Sequence, residues 1–183
     1  MTRKHRFTGG CGERRARLRP QDRARVVKQR PWEESIRVPL ILSYPRRVVS
    51  GQRKDWNFST VDVVPTLLEL VGTAIPENVQ GLSYAPGMLG KSGREREAAY
   101  LFNVHRGAGP GMDWRGIRTK EWVYAYKADG DWILYDLLKD PFQLENVVAD
   151  PRYERKKAEL SARLERWRSA IGDDLPLAGA PPR

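Results

Sequence analysis

The sequence predicts an α/β chain that ends in a small antiparallel sheet packed by a C-terminal helix. Three observations carry this. Val38–Leu42 is apolar at every position, the pattern of a strand buried on both faces inside an α/β sheet. Arg115–Thr119, Trp122–Lys127 and Trp132–Asp136 are short runs rich in aromatic and β-branched residues, and Asp129-Gly130 between the last two is a hairpin signal. Tyr153, Leu160, Leu164, Trp167 and Ile171 recur at threes and fours, the period of an amphipathic helix.

In chain order, residues 1–27 form a basic tail with little apolar periodicity. Residues 1–30 hold 11 Lys or Arg against 2 acids, whereas the remaining 153 residues hold 22 against 21, so the net charge of +10 belongs to the tail. Such a segment buries too little surface to offset its ordering entropy and reads as disordered. A basic arm for nucleic acid or anionic lipid is the alternative. With Phe7 as its only aromatic residue the tail has no base-stacking platform, which argues against nucleic acid as a partner.

After a polar connection over 43–57, Ser59 or Thr60 is placed to cap a helix. Its apolar stripe, Val61, Val64, Leu67, Leu68 and Val71, is expected in the core, and Gly72 stops it. Residues 73–93 are Gly/Pro-punctuated loop, and Ala99–Val104 is the next expected strand, followed by His105 and a GAGPG stretch. After the three strands, Asp150-Pro151 starts the last helix, with Asp as cap and Pro at the first helical position. Gly172 ends it, and 176–183 is a Pro/Ala/Gly-rich tail expected to fray.

Cys11 is the sole cysteine, so neither an internal disulfide nor a cysteine cluster for zinc can form. The first ten residues lack the apolar core of a secretory signal, and no apolar run is long enough to span a bilayer. The default expectation is therefore a cytoplasmic chain without a membrane partner, although a longer parent could carry its own export signal.

The stretch Lys28 to Pro45, KQRPWEESIRVPLILSYP, resembles the Lys–aromatic–Glu–Glu–Ser–x–Arg–Val–Pro–Leu–Ile segment of the sulfatases, in the alkaline-phosphatase-like superfamily. STVDVVPTLLELVG (Ser59–Gly72), GLSYAPGMLG (Gly81–Gly90), RGIRTKEWVYAY (Arg115–Tyr126) and LYDLLKDPFQLENV (Leu134–Val147) are similar to later sulfatase segments, in the family's order. The resemblance covers roughly residues 28–150 and implies the C-terminal portion of an alkaline-phosphatase-like sulfatase fold. It divides the chain into the tail (1–27), the end of the α/β domain (28–95), the C-terminal sheet and helix (96–175) and the frayed end (176–183).

For an intact family member the resemblance implies hydrolysis of a sulfate ester or sulfamate on a sulfated small molecule or glycan. The reaction uses a formylglycine nucleophile and a divalent metal, usually calcium. Lys28 takes the position of the lysine that reaches the sulfate, a task suited to a compact ammonium with three donors. His105, in the loop after a strand, is a candidate substrate contact at a cleft rim or else a solvated loop histidine. Glu33, Glu34 and Arg37 are read as structural. No metal ligand is expected within this chain, nor a cofactor of its own. Phe7-Thr8-Gly9-Gly10-Cys11-Gly12 has the frame of the family's Phe–Thr–x–Asp–His/Asn–Gly metal motif, with Gly10 and Cys11 where oxygen donors belong. Cys11-Gly12-Glu13-Arg14-Arg15 lacks the proline of Cys/Ser–x–Pro–x–Arg and lies close to Lys28, so Cys11 is read as a plain thiol.

These departures lead to the expectation of a truncated or frame-shifted N-terminus, and of a chain that is catalytically incompetent by itself. The rivals are a non-catalytic interaction protein on the same scaffold, a phosphoesterase or phosphonate hydrolase of the superfamily, and nucleic-acid binding through the tail. An apolar strand without its sheet also predicts self-association through residues 36–72, with a better protected fold over 115–171.

Overall fold

The computed structural model describes residues 29–104 and 113–174. Two units are distinguished, residues 1–38 and 39–183. In the first, the expected turn after Lys28 is one helical turn, α1 (Glu33–Ile36), in which the amides of Ser35 and Ile36 donate to Trp32 O at 2.8 and 3.0 Å. Arg37 stands 3.9 Å from Glu33 and is largely exposed, so this pair contributes little to stability.

The expected strand Val38–Leu42 is not formed. Residues 37–44 belong to no helix or strand, and Leu40 and Ile41 are 52% and 92% exposed. A strand exists only through its ladder partners, and no described strand pairs with this run.

Ser59 does open a helix. A capping box pairs Ser59 with Asp62 across a 3-10 turn (Thr60–Asp62) that runs into α2 (Val63–Val71). Gly72, at φ 82°, closes α2 in the left-handed conformation, with the amide of Thr73 reaching back to Leu68 O at 2.9 Å. Which face is buried differs from the expectation. Val61, Val64, Leu67 and Val71 are 53%, 53%, 47% and 59% exposed, while Asp62, Pro65, Thr66 and Leu70 are buried. The helix turns its polar hooks inward: Leu82 N donates to Asp62 Oδ1 at 2.7 Å, and Tyr84 N donates to Thr66 Oγ1 at 3.0 Å. The chain at Gly81 therefore runs hard against α2, and a Cβ there would lie 2.0 Å from Val61 O. A further short helix, α3 (Ala85–Met88), follows.

The sheet is a four-stranded antiparallel meander in the order β1-β2-β3-β4: β1 (Ala98–Asn103), β2 (Trp114–Thr119), β3 (Trp122–Lys127) and β4 (Gly130–Asp136). Thr119 shapes the β2–β3 turn by accepting the amides of Glu121 and Trp122 on its Oγ1 at 3.2 and 2.9 Å. Lys127 pairs with Gly130, so the tight turn is Ala128-Asp129, one residue earlier than expected. Gly130, at φ 120°, re-enters the strand. Beyond β4 the Asn146 side chain acts as a surrogate strand. Its Oδ1 accepts Leu134 N and its Nδ2 donates to Trp132 O, both at 2.9 Å, which blunts an otherwise open sheet edge.

Asp150 caps the last helix, accepting Arg152 N at 2.9 Å, with Pro151 at the first position. A 3-10 turn (Pro151–Tyr153) leads into α4 (Glu154–Ile171), closed by Gly172 at φ 69°. Leu160 and Leu164 are buried against Ala98, Ile117, Tyr124 and Leu134, flanked by Tyr153, Trp167, Tyr100 and Trp122. Each of those two leucines contributes about 1.5–3 kcal/mol by burial. Ile171, expected in the same stripe, stays exposed, and the last aromatic contact comes instead from Trp167, edge-on to Tyr100. The alternate side chains of the strands (Ala99, Trp114, Val123, Ala125, Ile133 and Tyr135) are buried too, so the sheet is covered on both faces.

One buried acid ties these parts together. Asp62, fully buried, accepts from Ser59 N, Leu82 N and the Arg96 guanidinium, which approaches to 2.9 Å. Removing one partner of a buried ion pair costs about 3–5 kcal/mol. Asp62→Ala is expected to lower unfolding stability by that order in urea titrations, whereas Val64→Ala, on the exposed face, should change it by less than about 1 kcal/mol.

Candidate functional site

Lys28, His105 and Cys11, the residues singled out from the sequence, lie outside the described residues, and of their immediate neighbours Gln29 and Val104 are placed. The residue after Lys28, Gln29, has a left-handed φ of 77°, a conformation costing a non-glycine residue about 1–2 kcal/mol. Such strain concentrates where a chain must turn a side chain into position. It carries no sequence signal, because glutamine is no marker of the left-handed region. Next to it, Arg30 N donates to Ser35 Oγ at 3.4 Å, closing a loop across α1. His105 belongs to the connection between β1 and β2, whose last ladder pair is Asn103 with Trp114.

A groove of about 370 Å³ lies between the start of β1, the β2–β3 turn and α4. Its cations are matched by acids: Lys120 lies 2.7 Å from Glu95, Lys156 2.7 Å from Glu159, and Arg163 2.8 Å from Glu97. Arg96 is committed to Asp62. The hydrogen bond to Glu95 holds the Lys120 ammonium above its usual range. A groove whose charges cancel has no electrostatic preference for an anionic substrate.

A second cluster joins the sheet to the end of α4. Arg115, buried on β2, donates through Nε and, at 2.9 Å, through Nη2 to the Asp173 carboxylate, which also accepts the Tyr100 hydroxyl. Arg168 Nη2 adds a bond to Asp173 O at 3.1 Å. The Arg115 hydrogen bond holds the Asp173 carboxyl below the usual carboxylate range. Burial, reinforced by the bond to Asp173, pushes the Tyr100 phenol up. Burial likewise raises Tyr126, bonded to Glu165, to about 12. Phenols held neutral in this way are structural donors, not bases.

Among the described residues there is no histidine and no cysteine, hence no imidazole base and no thiol nucleophile. Nor is there a group of three or more His, Cys, Asp or Glu side chains that could hold a metal ion. A calcium ion needs six or more oxygen donors, and the described residues do not fit it. No described helix is long and apolar enough to cross a membrane.

A four-stranded antiparallel meander closed by a C-terminal helix, preceded by a capped helix and its Gly–x–Ser loop, is the C-terminal architecture of sulfatases. The chain belongs to the family described as N-sulphoglucosamine sulphohydrolase, C-terminal, whose model matches residues 26–170. It is 32% identical over 151 residues to an ulvan-active sulfatase of Formosa agariphila, covering 81% of this chain and 30% of the relative. It is 30% identical to an N-acetylglucosamine-6-O-sulfatase of Bacteroides thetaiotaomicron, covering 79% and 27%. A structure solved in complex with its substrate D-glucosamine-2-N,6-O-disulfate superposes with a TM-score of 0.74 at 28% identity, over 82% of this chain and 32% of that one. A phosphonate monoester hydrolase of Agrobacterium radiobacter matches more distantly, with a TM-score of 0.51 at 26% identity over 60% and 24%. The chain thus spans about 30% of the length of the sulfatases it matches.

The Arg115–Asp173–Tyr100 cluster was not anticipated from the sequence, because Asp173 lies just past a helix stop where an acid ordinarily faces solvent. It generates a pH prediction. A carboxyl depressed in the folded state contributes stability that is present above its unfolded value, about 3.9. That stability is lost as pH falls through the lower folded value. Amide protection at Trp167–Asp173, measured against the intrinsic exchange rate at each pH, is therefore expected to fall below about pH 4, and Asp173→Asn should show low protection there already at neutral pH.

Proposed function

We propose that this chain supplies the C-terminal part of a sulfuric ester hydrolase acting on sulfated sugars, and that Lys28 contacts the sulfate. The observation that carries this reading is the family match over residues 26–170, which includes the Lys28 segment and extends through α4. Relatives named for a 6-O-sulfated glucosamine and a complex with D-glucosamine-2-N,6-O-disulfate support a sulfated amino sugar as the substrate class. Cleavage of a sulfate ester requires attack on sulfur and neutralisation of the charge that builds on the sulfuryl oxygens. A lysine at the rim serves the second requirement. The first requirement needs a nucleophile, which in the family is formylglycine, assisted by a divalent metal. Cys11-Gly12-Glu13-Arg14-Arg15 does not match the motif that is converted, so the 183-residue chain is proposed to be inactive by itself.

The test is a pair of assays. The purified chain should leave 4-nitrophenyl sulfate and glucosamine 6-sulfate at the background rate, with and without calcium. Turnover abolished by Lys28→Ala would overturn its proposed inactivity. The second assay uses a chimera in which residues 26–183 replace the matching region of the N-acetylglucosamine-6-O-sulfatase. It should hydrolyse glucosamine 6-sulfate and lose about 10²–10³-fold in kcat on Lys28→Ala. A folded chimera indifferent to that substitution would remove Lys28 from the site. Selective cleavage of a phosphonate monoester would favour the reading suggested by the more distant neighbour.

A further inference from the structure

Around the sheet and α4 most cations stand beside an acid, among them Lys120, Lys139, Arg163 and Arg168. Six cations on two neighbouring loops do not. Residues 43–57 and 86–94 hold Arg46, Arg47, Arg53, Lys54, Lys91 and Arg94 against one acid, Asp55. Residues 31–183 as a whole hold 22 Lys or Arg against 21 acids, which leaves 16 against 20 elsewhere. All six cations are exposed, and among the described residues none of them makes an ion pair.

The two loops are fastened to each other. Gln52 Nε2 donates to Val49 O at 3.1 Å and to Met88 O at 3.3 Å, and the amide of Val49 donates to Met88 O at 3.4 Å. Gly90 and Gly87 allow close approach. A Cβ at Gly90 would lie 3.6 Å from Val49 Cγ2, and one at Gly87 would lie 2.8 Å from the Trp56 indole. Gly93 in turn lies against Gly87, with 3.3 Å from its Cβ position to Gly87 N. Each of the six cations is within three residues of one of these contacts, about 10 Å of chain at most. That is close to the screening length of about 8 Å at physiological salt, so their fields add into one positive surface.

Like charges gathered without acids repel one another, and a ligand with repeated negative charge removes that repulsion. Four of the six are arginines, whose planar fork matches the oxygens of a sulfate or phosphate. The loops offer no long helix or two-stranded ribbon to enter a DNA groove. Their rings, Tyr44 and Trp56, are half-buried, and Trp56 is packed on Tyr84 rather than free to stack a base. We infer that these two loops form a binding surface for an extended sulfated glycan, in addition to the Lys28 segment. The anionic character of the ligand follows from the loops alone. The choice of a sulfated sugar among polyanions rests on the functional reading above.

The test uses the full 183-residue chain and a heparin dodecasaccharide. The tail's own charge is controlled by a variant in which Arg14, Arg15, Arg17, Arg19, Arg23 and Arg25 are replaced by serine. That variant should still bind, with an affinity that falls as salt rises. Adding Arg46→Asn, Arg47→Ser, Arg53→Ser and Lys91→Ser should weaken binding at least tenfold. Asparagine tolerates the left-handed φ of 70° at position 46, and unchanged amide protection of β1–β4 would show that the fold persists. Arg155→Ser with Arg166→Ser, at exposed positions on α4, should change affinity less than twofold. In the unaltered chain the oligosaccharide should slow acylation of Lys54 and Lys91 at least fivefold and leave the exposed Lys139 as it was. Equal binding of the desulfated oligosaccharide, indifference to the loop substitutions, or unslowed acylation of Lys54 and Lys91 would each overturn the inference. Loop-dependent binding of duplex DNA or phosphatidylserine vesicles, tighter than of the glycan at the same salt, would overturn it in favour of that partner. Loop-dependent glycan binding beside a chimera that leaves glucosamine 6-sulfate uncut would uphold the surface and sink the functional reading. An active chimera without loop-dependent binding would do the reverse.

Discussion

Asp62 is the constraint on which the first half of the fold hangs. A fully buried carboxylate is tolerable only if its oxygens are saturated, and here they accept two backbone amides and an arginine fork. Each partner comes from a different place. Ser59 sets the start of α2, Leu82 brings in the returning loop, and Arg96 leads directly into β1. Satisfying one acid therefore fixes the position of a helix, a loop and a strand. The network continues without a break. Tyr84 donates its hydroxyl proton to Asn57 O and accepts Arg96 N, Asn57 donates to Arg96 O and Glu97 O, and Arg118 on β2 donates to Asn57 Oδ1. Groups that would be costly if orphaned are all paired, which gives a single arrangement rather than several.

The second half is held differently. Two buried leucines and a belt of aromatic rings join α4 to the sheet, and a polar latch at the far end, Arg115 with Asp173 and Tyr100, pins the chain just after the helix stops. Apolar packing sets how far α4 lies from the sheet but is not directional. The bidentate pair supplies the direction, and it lies on the strand that immediately follows the connection containing His105.

This division of labour bears on function. Within the described residues many charges are paired, the buried phenols are held neutral, and there is no imidazole or thiol. Leu40–Ile41 and the outer face of α2 are exposed and are apolar rather than charged.

Local signals determined a good deal. All four strands of the sheet, both long helices, the Ser59 and Asp150 caps and the Gly72 and Gly172 stops were legible because each depends on contacts within a few residues. The sulfatase resemblance was legible through motifs that are contiguous in the chain. Tertiary structure decided the rest. The apolar stripe of α2 pointed to the core by periodicity alone, yet the buried side is Asp62, Thr66 and Leu70, because hydrogen bonds to residues 82–84 outweigh an apolar face that has nothing here to pack against. Val38–Leu42 has the composition of a buried strand and forms none. Composition states a preference for being covered and paired, but a ladder and a second layer have to be supplied by other parts of a fold, and that long-range pairing is not written in five residues.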